Sequence, residues 1–113
     1  MNKDKVRQLE DDIQEAKQFI EMSKALDRLQ SNRDFKTVII DGYLTGEAIR
    51  LVHLRGDPNM QTPERQASIL ASIDAIGGLL NYFRTVDFKA RTAETSISAN
   101  ESMIEELNAE DAQ

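Results

Sequence analysis

Apolar residues near the start of the chain fall on one stripe. Val6, Leu9, Ile13, Ala16 and Ile20 alternate spacings of three and four, while Asp11, Asp12, Glu15 and Lys17 lie off that line. This is the period of an amphipathic α-helix and predicts a first helix over residues 4–30. Toward its end Phe19, Met22, Leu26 and Leu29 widen the apolar face, so a narrow outer seam is expected to lead into a fuller core. Ser31-Asn32-Arg33-Asp34 then supplies short polar side chains that can stop one helix and cap the next.

Residues 34–55 read as a second helix, bent or split. Phe35, Ile39, Tyr43 and Leu44, then Ala48, Ile49, Leu51 and Val52, keep an approximate helical face, with Gly42 and Gly46 lowering helix propensity in the middle. The β-branched run Thr37-Val38-Ile39-Ile40 also suits a buried strand, but no second convincing strand exists to pair with it. Arg55-Gly56-Asp57-Pro58-Asn59 ends the element, Gly as a C-terminal cap and Pro as a residue that cannot continue the ladder.

Thr62-Pro63-Glu64 restarts it: Thr caps, Pro takes the first helical position, and Glu complements the positive end of the helix dipole. A long third helix over 63–108 is expected next, in which Ile69, Ile76, Phe83, Ala90, Ile97 and Ile104 recur seven apart as one position of a heptad. The companion position reads Ser72, Leu79, Val86, Ala93, Asn100 and Leu107, with Ile73 and Leu80 broadening the first half. After Val86 the seam becomes narrow and rich in small residues. The expected architecture is all-α: a single helical domain over 1–113, an elongated helical bundle or hairpin whose two long terminal helices form coiled-coil-like arms. Antiparallel pairing of the arms within one chain is the simplest arrangement, and pairing between chains is its rival.

Composition narrows the function more than it names it. At 113 residues the chain suits one small domain, and its 14 basic against 20 acidic side chains, net −6, disfavour an electrostatically driven nucleic-acid binder. All of that net charge sits in residues 92–113, which hold six carboxylates and no Lys or Arg. The absence of Cys removes disulfide frameworks, thiolate zinc sites and cysteine nucleophiles. No apolar run approaches the roughly 20 residues of a membrane span, and the first residues lead into charge rather than a signal-peptide core, so a cytoplasmic location is expected, without membrane or nucleic-acid partners.

Candidate chemistry is sparse. His53, the one histidine, has no ligating partner at helical spacing, Asp41 and Glu47 are too far apart in angle for an acid pair, and Gly77-Gly78 lacks the strand and lysine of a phosphate loop. The two glycines suit close helix packing or a kink, and Arg55-Gly56-Asp57 reads as a helix stop rather than an adhesion motif. No catalytic, metal or cofactor residue is assigned, and no enzyme is expected. The residues singled out for interaction are the seam positions Ile13, Ile20, Ala90, Ile97, Ile104 and Leu107, together with Asn100 and Met60. Asn100 is a polar seam residue able to fix register and association state, or a surface asparagine; Met60 tucks beneath its loop or offers an adaptable apolar contact.

Asp34-Phe35-Lys36, Asp41-Gly42-Tyr43-Leu44, Glu47-Ala48-Ile49-Arg50-Leu51-Val52, Asp57-Pro58-Asn59-Met60-Gln61, Ile76-Gly77-Gly78-Leu79 and Tyr82-Phe83-Arg84-Thr85-Val86 together resemble small helical proteins of tailed bacteriophages. The resemblance spans residues 34–86 and implies virion assembly or an encounter with a host protein, in the host cytoplasm or the virion. The leading expectation is a non-enzymatic structural or assembly protein acting through helix-to-helix contacts, as a homo-oligomer and with other proteins. The alternative is a small acidic inhibitor or regulator that binds a basic surface of a host protein.

Overall fold

The computed structural model describes residues 2–112, and every regular element among them is helical. Helix α1 (Lys3–Gln30) is followed by the short α2 (Arg33–Phe35), a π-helix (Lys36–Glu47), α3 (Ala48–Arg55), a 3-10 turn (Pro58–Met60) and α4 (Pro63–Ala112). The chain contacts fall into two compact units. In unit 1 the chain up to Leu26 associates with the chain from Thr85 onward; unit 2 is Asp27–Arg84.

Within unit 2 the break after α1 is capped as the polar run suggests: the Asn32 side chain accepts from the Phe35 backbone N–H at 3.0 Å. The stretch beyond α2 is neither a bent α-helix nor two short ones. Residues 36–47 form a continuous π-helix, with hydrogen bonds reaching five residues back instead of four, and the Thr45 hydroxyl also reaches back five, to the Ile40 carbonyl (3.1 Å). The reason lies in what its two ends must face. The Phe35 ring lies 6.2 Å from that of Phe83, while Ala48 packs against the cluster of Leu51, Ile69 and Ile76. Ile69, Ile76 and Phe83 are one stripe of α4. Phe35 and Ala48 are 13 residues apart, and an α-helix, at about 100° per residue, would point them roughly 140° away from each other. The wider π turn brings both onto the stripe.

Leu51, Ile69 and Ile76 are the buried centre of unit 2, at 3%, 4% and 6% exposure. Tyr43, Leu44, Ala48, Leu54, Met60 and Ile73 pack around them. The connecting loop is tied down by carboxamides. Gln61 Nε2 donates to the carbonyls of Arg55 (3.0 Å) and Asp57 (2.7 Å), and Gln66 Nε2 to those of Arg55 (3.1 Å) and Met60 (2.7 Å). Gly56 keeps right-handed backbone, φ −90°, so the last carbonyl of α3 is satisfied by two glutamines and not by a left-handed glycine cap. Asp57 caps the 3-10 turn through Asn59 N–H (2.8 Å), and Thr62 accepts from Arg65 N–H (3.3 Å) where α4 begins at Pro63.

In unit 1 the two arms pair antiparallel within the chain. Ser23 Oγ donates to Asp87 Oδ1 (3.0 Å), the Lys89 ammonium sits 5.6 Å from the Phe19 ring centre, and Asn2 Nδ2 donates to Asp111 Oδ1 (3.2 Å). Numbers fall on one helix as they rise on the other. Ile13, Ala16, Ala90, Ala93 and Leu107 are buried, so the seam alanines Ala16, Ala90 and Ala93 lie inside the pairing face.

Along α4 none of the six heptad positions from Ile69 to Ile104 is exposed. Ser72, the first companion position, is exposed, as are Phe19, Met22 and Leu29. The expected widening of the face at the end of α1 is therefore corrected: the buried line continues narrowly through Ser23 and Leu26, and the flanking apolar residues meet solvent. Gly77 and Gly78 are corrected too. A Cβ added at either meets nothing within 4 Å, so no neighbouring helix of this chain requires them to be glycine.

Candidate interaction surface

Two long helices packed through small residues leave a shallow trough between their outer edges. In unit 1 this trough has a volume of about 440 Å³ and runs between α1 and the second half of α4. Its floor is Ala16 and Ala93, both buried and short. Asp12, Glu15 and Phe19 form the α1 wall; Phe88, Lys89, Thr92, Ser96 and Asn100 form the α4 wall. Phe88 is 64% exposed, standing up at one end like a post, and Phe19 beside it lies under the Lys89 ammonium, a cation–π contact.

Seven of the eight residues singled out from the sequence lie in unit 1 and one in unit 2. Ile13, Ala90 and Leu107 are buried, and Ile20, Ile97, Asn100 and Ile104 are half-buried. Of these only Asn100 lines the trough. Met60 is half-buried against the Leu51 cluster, the tucked position. The seam pattern by itself misses Phe88, Lys89 and the exposure of Phe19. One signal is present in the sequence: Phe88 lies between the seam residues Val86 and Ala90, so its helical phase points a large aromatic ring away from the seam.

Chemical sites are scarce elsewhere. Among the described residues no group of three metal-ligating side chains gathers, and His53 and Asp41 are exposed. Glu47 is engaged instead with Arg50. The Arg50 Nε donates to Glu47 Oε2 at 2.9 Å and its Nη2 donates to Oε1. These hydrogen bonds, joined by the guanidinium charge, hold the Glu47 carboxyl below its usual range and raise the Arg50 value. The pair straddles the junction where the π-helix returns to α geometry. The exposed carboxylates Glu101, Glu105, Glu106, Glu110 and Asp111 line the last turns of α4, where they oppose the helix dipole.

No described helix is long and apolar enough to cross a membrane. Comparison with protein-family models, with curated proteins and with solved structures finds no match to this chain.

Proposed function

We propose that this chain is a non-enzymatic structural or assembly protein that works through helix-to-helix contacts, with copies of itself and with other proteins. The observation that carries this reading is apolar surface left uncovered by the chain's own packing. Among the described residues, eleven large apolar side chains are exposed against nine buried apolar residues, three of them alanines. Phe19, Met22, Phe88 and Met103 stand out in unit 1, and Val38, Ile49, Val52 and Tyr82 in unit 2. Apolar surface marks a site of protein contact where it is contiguous, and Phe19 and Phe88 line one trough. The setting we propose, on the resemblance of residues 34–86 to small helical proteins of tailed bacteriophages, is a virion or its assembly.

The exposed terminal carboxylates favour a second reading, an acidic inhibitor or regulator of a protein with a basic surface. Truncation separates the two. A chain ending at residue 96 loses Ile97, Ile104 and Leu107 with five of the six terminal carboxylates, whereas one ending at 107 keeps the three apolar residues. Assembly predicts that the shorter chain changes its self-association, by light scattering, at low and high salt alike, because the lost contacts are apolar. Inhibition predicts unchanged self-association and loss of a basic partner. If ending the chain at 96 alters neither mass nor stability, the assembly reading is overturned.

A further inference from the structure

We propose that the trough of unit 1 is the contact face between two copies of the chain, which stack face to face and join their helix pairs into a four-helix arrangement. The inference rests on the self-association proposed above and names the face that makes it.

The trough carries both halves of a self-complementary contact. Its floor is recessed at Ala16 and Ala93, and the exposed Phe88 ring projects at one end. In an isologous pair the same patch meets itself, and about an axis along the helices each level meets its own, so the Phe88 ring of one copy stands over the α1 wall of the other, where Phe19 is exposed. Two paired helices are also half of a four-helix bundle, the arrangement in which such a pair covers its remaining apolar face. A small-molecule site would enclose its ligand on most sides; an open trough between two parallel walls suits a helix.

Charge points to the same occupant. The α1 wall is acidic, with Asp12 and Glu15, and the charged residue of the α4 wall is Lys89. Among the described residues the ion pairs are Lys24–Glu21 and Arg50–Glu47, so none of these wall charges has its counterion among them. When two copies stack about an axis running along the helices, α1 of one lies over α4 of the other. The acidic wall then faces Lys89 from the second copy. Glu15 is one helical turn, about 6 Å, from the Phe19 level at which Lys89 sits, a distance the lysine side chain spans.

Sedimentation velocity on the full chain tests this. The wild type is expected to be dimeric or to contain dimers, and Phe88→Asp to be monomeric with its helical circular dichroism intact, since that side chain is not part of the chain's own core. Lys89→Glu and Glu15→Lys are each expected to weaken association about tenfold by placing like charges across the face. Mixing these two variants is expected to restore it, because each chain then supplies the charge that the other lacks. That rescue also removes any effect of losing the Lys89–Phe19 contact within one chain.

A monomeric wild type overturns both this inference and the proposed self-association. A wild-type oligomer that Phe88→Asp leaves intact overturns the face alone and assigns the trough to another occupant. Single variants that weaken without rescue on mixing overturn the stacked arrangement.

Discussion

Replacing Leu51 with alanine is expected to destabilise the protein by about 2–5 kcal/mol. Leu51 is the most deeply buried of the core residues, and with Ile69 and Ile76 it is the centre against which six partly buried side chains pack. Removing its branched end leaves a cavity that Ile69 and Ile76, fixed on one face of α4, cannot move far to fill. The adjacent Val52 is 63% exposed, and Val52→Ala is expected to change stability by no more than about 0.5 kcal/mol. Urea unfolding followed by circular dichroism measures both. Equal effects would show that α3 does not turn its Leu51 face toward α4.

The second large effect concerns two deletions of equal length. Three turns of π-helix hold about two residues more than three turns of α-helix. Removing Gly42 and Gly46 together therefore allows residues 36–47 to become ordinary α-helix while Phe35 and Ala48 still face the same stripe. The shortened protein is expected to unfold at a temperature no lower than the parent. Thr95 and Ser96 lie within α4, where the residues on both sides are already in α geometry. Removing them turns Ile97, Asn100, Ile104 and Leu107 about 160° away from the pairing face. That variant is expected to lose the pairing beyond residue 94 and to melt at least about 10 °C lower. Thermal scans of the two proteins side by side decide it; a destabilised glycine deletion would mean that the π-helix serves something other than facial alignment.

The elements legible in the sequence are those whose signals are local. Thr62-Pro63 fixes the start of α4, and Asn32 the start of the second helical stretch, because capping groups bond within three residues of themselves. The seven-residue ladder from Ile69 to Ile104 is legible because one period serves the whole of α4. The π-helix is not, since a period of 3.6 fits the apolar positions on either side of it, and the slip of about 140° between Phe35 and Ala48 shows only once both are seen to face α4. A trace of it exists in the pairs Ile39-Ile40, Tyr43-Leu44 and Glu47-Ala48, none of them exposed, which advance by four residues where an α-helical face advances by less. The trough is illegible for a different reason. Its floor residues, Ala16 and Ala93, belong to the seam, but which flank of the seam stays open depends on the phase at which α1 meets α4, and that is set by pairing across the length of the chain. The same dependence makes Phe19, Met22 and Leu29 resemble core residues in the sequence.

The two units also differ in how much chain separates the groups they join. Unit 2 is one continuous stretch, and its Arg55–Gln66 contact spans 11 residues; unit 1 must bring Ser23 to Asp87 across 64 and Asn2 to Leu107 across 105. Closing a long loop loses more chain entropy than closing a short one, and contacts near in sequence form faster. Refolding is therefore expected to begin around Leu51 and Ile76, which shortens the effective loop, and to finish by zipping from Ser23 and Asp87 outward to the termini. Pulse-labelled hydrogen exchange should protect the amides of α3 before those near Ile13 and Ala93, and the opposite order would place the nucleus in the arms. A nascent chain meets the same constraint: unit 1 has no second helix of its pair until residues beyond Thr85 have been made, so α1 waits unpaired while residues 27–84 are added, its Ile13 and Ile20 open to whatever else is present.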